Sequence, residues 1–193
     1  MAKTTAWDRQ REAVREEITQ TALDLFLRQG FDATTIDQIL ERVGVSRRSF
    51  FRYFGTKEDV VLGDLVSRGA SIAEALSRRP PGEDPWDAIR AAFHEADEIS
   101  AFGKQQTLAL GRMLFDTPSL LARHLEKRLR WQEMFVPLIA ERLPAEGDPD
   151  LQAHAIVASA LSCLDAASRA WIRSDGDAEL SDLYDQAVQA VRR

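Results

Sequence analysis

One cysteine, Cys163, excludes an intrachain disulfide, and its setting in the apolar run "AIVASALSCL" is that of a small core thiol. Three histidines (His94, His124 and His154) are too dispersed to make a ligand set, and no H-E-x-x-H, G-x-S-x-G or phosphate-loop motif occurs. Catalysis, a cofactor and a resident metal are therefore not expected. The segment "HEADE" puts His94, Asp97 and Glu98 on one helical face, an arrangement a metal could use, but no second His or Cys lies near them. Apolar runs fall short of the roughly 18 residues of a membrane span. The opening "MAKTTAWDRQRE" has no apolar h-region, so a cytoplasmic protein without a membrane partner is expected. Strand-type alternation is short and scattered.

Helical spacing recurs throughout instead. A first helix is predicted over about 9–29, with Ile18, Ala22, Leu25 and Phe26 on one face and Gly30 at its C-cap. Thr35 can cap the Gln38 amide and open a short second helix with Ile36, Ile39, Leu40 and Val43 on its apolar face. Gly44-Val45 makes a tight turn, and Ser46 caps a third helix ending near Tyr53. Thr56 and Asp59 suit the start of a fourth, which carries Val60, Val61, Leu65 and Val66. The fourth ends at "RRPPGEDP", since proline removes a donor and clashes with the preceding turn. Five more helices are predicted, at roughly 85–101, 104–115, 118–142, 150–173 and 178–192, with Pro137 expected to kink its helix. The fold class is all-α, with about nine helices. An N-terminal helix-turn-helix domain is expected over 1–56 and a C-terminal helical domain over 57–193.

The chain is acidic overall, at net charge −6. Residues 1–60 are balanced, with ten basic and ten acidic side chains, so the remainder carries all of the excess. Within the balanced part, 42–57 holds five cations (Arg42, Arg47, Arg48, Arg52 and Lys57) and no carboxylate. A basic stripe on an acidic protein acts locally, as a small reading head would. If the third helix starts at Ser46, then Phe50 and Phe54, four apart, share its buried face. Arg47, Arg48, Ser49, Phe51 and Arg52 then point outward. Arginine forks match guanine O6/N7, and an exposed phenyl ring can lie on a thymine methyl. Tyr53, Lys57 and helix N-termini can hold phosphates.

Residues 18–61, "ITQTALDLFLRQGFDATTIDQILERVGVSRRSFFRYFGTKEDVV", closely resemble the DNA-binding domain of the TetR family of bacterial transcriptional regulators. Phe26, Gly30, Thr35, Ile39, Gly44, Val45, Tyr53, Phe54, Lys57 and Glu58 fall in the family register. The resemblance implies that Arg47, Arg48, Ser49 and Phe51 approach bases, and that Thr35, Arg52, Tyr53 and Lys57 contact phosphates. Ser46, at the head of the helix, joins this set. It also implies a homodimer on a palindromic operator in double-stranded DNA, usually a repressor, released when a small molecule binds the C-terminal helices.

Two features of the C-terminal part stand beside that resemblance. The helix at 150–173 is apolar or small nearly all round, which suggests burial on both sides. Ile156, Ala160, Leu164, Ala167 and Trp171 are its candidate dimer-interface residues. The middle helices carry Phe93, Phe102, Leu110, Met113, Leu114, Phe115, Trp131, Met134, Phe135 and Leu138, an adaptable set suited to an apolar pocket. Beside it, "ARHLEKRLRW" offers Arg123, Lys127 and Arg130 on one face, with His124 and Arg128 on another. Arg123 and Arg128 are candidates for a cationic rim over an acyl tunnel. The segment "GRMLFDTPSLLARHLEKRLRWQEMFVPLIAERL" resembles C-terminal domains of TetR-like regulators thought to bind acyl-CoA-like ligands, related to the mycofactocin-associated regulator. The competing readings are a helical enzyme or lipid carrier with a vestigial helix-turn-helix, and an activator in place of a repressor.

Overall fold

The computed structural model describes residues 6–97 and 103–192, and the side chains of all of these except 6–8, 64–67 and 96–97. The described residues form nine helices and no strand: α1 (Ala6–Gln29), α2 (Ile36–Val43), α3 (Arg47–Tyr53), α4 (Glu58–Ser77), α5 (Pro85–Asp97), α6 (Lys104–Asp116), α7 (Pro118–Ala140), α8 (Pro149–Arg173) and α9 (Leu180–Val191). The chain divides into two compact units between Asp64 and Leu65, inside α4 rather than ahead of it at the expected 56/57. The reason is packing. Val60 and Leu62, in the first turns of α4, are buried yet do not belong to the core of the second unit.

In the first unit α1 buries Ile18, Ala22, Leu23, Leu25 and Phe26. The Phe31 ring stands 4.9 Å from that of Phe26. α2 starts in a capping box: the Gln38 amide donates to Thr35 Oγ1 at 3.2 Å and the Thr35 amide donates to Gln38 Oε1 at 2.9 Å. It ends at Gly44, whose φ of 74° is the left-handed conformation that glycine adopts without a Cβ penalty. α3 starts where Ser46 Oγ accepts from the Ser49 amide at 3.1 Å. Thr56 and Asp59 exchange the same pair of bonds ahead of α4, at 3.0 and 3.2 Å. The side chains of Leu65 and Val66, expected on the apolar face of α4, lie outside the described set.

The second unit packs around Ile72 and Leu76 of α4, Ile89 and Phe93 of α5, Trp131, Phe135 and Ile139 of α7, Val157 and Leu161 of α8, and Tyr184 of α9. α8 lies against both α7 and α9. Gly69 is a point of close approach: a Cβ there would overlap the Trp131 indole, so the bare backbone of α4 lets that ring seat. α7 stays continuous through Pro137 and ends at Ala140. The missing N–H falls in the last turn, where little helix remains to bend. Arg142, expected in α7, instead donates to the carbonyls of Leu76, Arg79 and Pro80 at 2.6 to 3.1 Å and closes the C-terminal end of α4. The end of the fifth predicted helix, 98–101, lies outside the described residues.

Contrary to the expectation from apolar runs, α8 is long and apolar enough in composition to cross a membrane. Alanines raise its hydropathy without supplying bulk, and Ala153, Val157, Ala160, Leu161, Cys163 and Ala167 are spent on the core of the second unit. Burial pushes the Cys163 thiol upward, in keeping with a packed, protonated side chain.

Candidate nucleic-acid interface and effector region

The capped second helix and the Gly44 turn fix where α3 starts, and α3 is held from one side. Phe50 is fully buried and Phe54 nearly so, with ring centroids 5.4 Å apart. That anchoring turns Arg47, Arg48 and Arg52 outward and leaves the Phe51 ring 50% exposed. An exposed phenylalanine between arginines suits a base edge better than an isolated protein surface. Arg47 Nη2 donates to Asp37 Oδ2 of α2 at 3.0 Å. Arg48 has no side-chain partner among the described residues. Arg52 lies over the Tyr53 ring at 5.2 Å, and Arg11 of α1 approaches the same ring at 6.0 Å. Cations therefore surround the half-buried Tyr53. Ser46 is exposed at the head of α3, its hydroxyl donating to Ser49 Oγ at 3.1 Å. Thr35 is exposed and keeps its hydroxyl hydrogen free of the cap, in which the oxygen only accepts.

Lys57 has a second task that the sequence did not reveal. Its ammonium donates to the carbonyls of Phe31 at 2.8 Å and Thr34 at 2.9 Å, and sits 4.1 Å from the centre of the Phe31 ring. Two of its three N–H groups thus tie the start of α4 to the loop after α1. Thr34, fully buried, donates through Oγ1 to the Gly30 carbonyl at 2.8 Å.

In the second unit the expected effector residues separate into groups. Phe93, Trp131 and Phe135 are core side chains, with the Phe135 ring centroid 6.4 Å from that of Phe93 and 6.1 Å from that of Trp131. Met134 packs against them. Leu110, Met113 and Leu114 are half-buried on α6, and Phe102 lies outside the described residues. Arg128 is drawn away from a rim role, because it pairs with Asp165 of α8 and reaches Ser162 Oγ at 3.3 Å. His124 Nε2 meets the other Asp165 oxygen at 3.2 Å. Burial pushes the Asp165 carboxyl upward, but His124 and Arg128 together outweigh it and hold the group below the ordinary aspartate value. Arg123 pairs with Glu126, and Lys127 is buried rather than displayed. A groove of about 450 Å³ elsewhere lies between α5 and α9, lined by Trp86, Arg90, Tyr184, Val188 and Arg192 among others. None of these residues was expected to matter. Among the described residues no group of three or more His, Cys, Asp or Glu could hold a metal; Glu98 of the "HEADE" face falls outside them.

Of the expected interface set on α8, two residues are core within the single chain and three are half-buried. Ala160 and Ala167 are 1% and 2% exposed within a single chain, and Ile156 and Leu164 pack against the same core. Trp171 is half-buried beside Gly176. Among the exposed side chains of α8, Ala155, Ser162, Ala166 and Arg169 follow one stripe, with half-buried Ser159 within it, offset by one residue or so around the helix.

A capped helix, a glycine turn and an arginine-bearing helix anchored by two phenylalanines, followed by a helical second unit, define a helix-turn-helix DNA-binding regulator. A model of the tetR family of bacterial regulatory proteins matches residues 18–63, and a model of the MftR C-terminal domain matches 83–193. The chain belongs to the TetR family of bacterial transcriptional regulators. It is 33% identical over 186 residues to the HTH-type transcriptional regulator TcmR of Streptomyces glaucescens, covering 92% of this chain and 82% of that one. It is 25% identical over 186 residues, covering 95% and 91%, to a protein of Mycobacterium tuberculosis named as the mycofactocin biosynthesis transcriptional regulator MftR. The fold is shared with the Thermus thermophilus TetR-family repressor FadR, solved in complex with lauroyl-CoA, at TM-score 0.55 and 22% identity, covering 91% of each chain.

Proposed function

We propose that this regulator is a cytoplasmic homodimeric repressor that holds a palindromic operator and is released by a small apolar or acyl-CoA-like effector. The observation that carries the reading is the α3 surface: Arg47, Arg48, Phe51 and Arg52 displayed from a helix whose other face is locked by Phe50 and Phe54. Arg47, Arg48, Ser49 and Phe51 meet base edges, while Thr35, Ser46, Arg52, Tyr53 and the remaining N–H of Lys57 meet the backbone. Dimerisation uses the outward stripe of α8 (Ala155, Ser159, Ser162 and Ala166) with α9, where small side chains permit close helix approach.

The effector enters among Phe93, Trp131, Met134 and Phe135, displacing aromatic contacts of this core, with Leu110, Met113 and Leu114 of α6 as its further expected lining. Met113 and Met134 make such repacking inexpensive. Arg123 remains a candidate for an anionic head group. The lauroyl-CoA complex of the FadR neighbour favours an acyl chain as the first ligand to try. α4 belongs to both units, and Trp131 seats on it at Gly69, so repacking around Trp131 reaches the helix that also carries Val60 and begins next to Lys57. Release then follows from preferential effector binding to the state that fits DNA less well.

The test is a titration of C4 to C18 acyl-CoAs against the operator complex. Each buried methylene contributes about 0.8 kcal/mol, so potency rises with chain length until the pocket is full. Free CoA binds far more weakly. No release at any length removes the acyl-CoA assignment and leaves DNA binding standing.

A further inference from the structure

Resting on the assignment of Arg47 to a base edge, we propose that Asp37 is a specificity-determining positioning residue, whose carboxylate holds the Arg47 guanidinium in its reading pose. Asp37 lies in the first turn of α2 and Arg47 is the first residue of α3, so the Gly44 turn brings the two helix starts together. The bond between them, Nη2 to Oδ2 at 3.0 Å, uses one of the five guanidinium N–H groups and leaves a fork available to a base.

Neither side chain serves the core, for Arg47 is 63% and Asp37 70% exposed. The α2 cap is complete without Asp37, being made by Thr35 and Gln38. The neighbouring Arg48 has no such partner among the described residues, so of these two arginines only Arg47 is oriented in advance. A carboxylate on a phosphate-facing surface repels every duplex alike. Its gain must therefore be selective: an arginine already held loses less rotamer freedom on binding, and its fork is aimed at one base position.

The experiment measures binding of the full-length protein to duplexes that it selects from a randomised library, to every single-base variant of one half-site, and to unselected DNA. Arg47→Ala is expected to flatten base preference at one position. Asp37→Ala flattens the same position by about three- to tenfold, while affinity for unselected DNA holds or rises. Asp37→Asn, which keeps an acceptor oxygen, restores part of the preference, and the Asp37→Ala/Arg47→Ala pair flattens that position no further than Arg47→Ala alone. Circular dichroism melts of the Asp37 variants match the parent within about a degree or two, since no core contact is lost.

Tighter binding of Asp37→Ala with preference intact would make the pair a restraint on Arg47 and overturn the proposal. So would loss of preference at a different position, or additive effects in the double variant. If Arg47→Ala changes no base preference, or the parent enriches no sequence, the underlying assignment falls and the proposal with it.

Discussion

Lys57 ties the first unit together and is also a proposed phosphate contact. A charge-assisted bond to a carbonyl contributes about 1.5–3 kcal/mol, and Lys57 makes two. Lys57→Ala should lower head stability by roughly 2–4 kcal/mol in a urea melt. It should also make the salt dependence of DNA binding shallower by about one unit, as loss of a single phosphate contact requires. A stability loss with an unchanged slope would confine Lys57 to the fold. Tyr53→Phe, which removes only the hydroxyl, should weaken binding about equally on all sequences, read by competition with unselected DNA. The caps at Thr35, Ser46 and Thr56 were legible in the sequence because capping is chemistry over three residues. The partners of Lys57 were not, because Phe31 lies 26 positions away and nothing local announces a carbonyl waiting there.

Helices set the next scale, and here close packing decides. A methyl group at Gly69 would meet the Trp131 ring, so Gly69→Ala should cost about 1–3 kcal/mol. In a Trp131→Ala background the clash is gone, and the same change should be neutral or favourable by up to about 1 kcal/mol, as helix propensity dictates. Equal costs in both backgrounds would contradict the seating of Trp131 on α4. The α7–α8 tie at Asp165 carries a pH signature. Because the folded carboxyl lies below its unfolded value, the tie is at full strength above the usual aspartate range and is lost as pH falls below about 4. Asp165→Asn should therefore flatten the acid limb of stability against pH, and an unchanged limb would refute the tie. The phase of α8 was not legible: alanine and serine on every side give none, so interface candidates such as Ala160 and Ala167 could not be told from the core of the single chain, where both lie. α2 and α3 gave a clear phase because bulky Ile39, Leu40, Phe50 and Phe54 alternate with charge.

At the scale of the whole molecule, the two units separate along function. The caps and aromatic anchors of the short first unit are local, and this made the reading head legible. The second unit is held by long-range packing, which composition alone does not resolve. The proposed dimer contact is the outward stripe of α8. Ala166→Asp should leave the folded protomer intact, since the residue is exposed in the single chain. In a dimer the same carboxylate is buried without a partner, at a cost of several kcal/mol. Sedimentation should therefore give a folded monomer with weakened DNA binding, whereas Ala160→Asp should unfold the second unit. The central claim, that two copies of this head read DNA as a symmetric pair, is tested most directly by selecting bound duplexes from a randomised library and footprinting the winners. The expected result is an inverted repeat, protected on both half-sites and weakened when either is scrambled. Enrichment of a single unpaired half-site, or of no sequence at all, would contradict it.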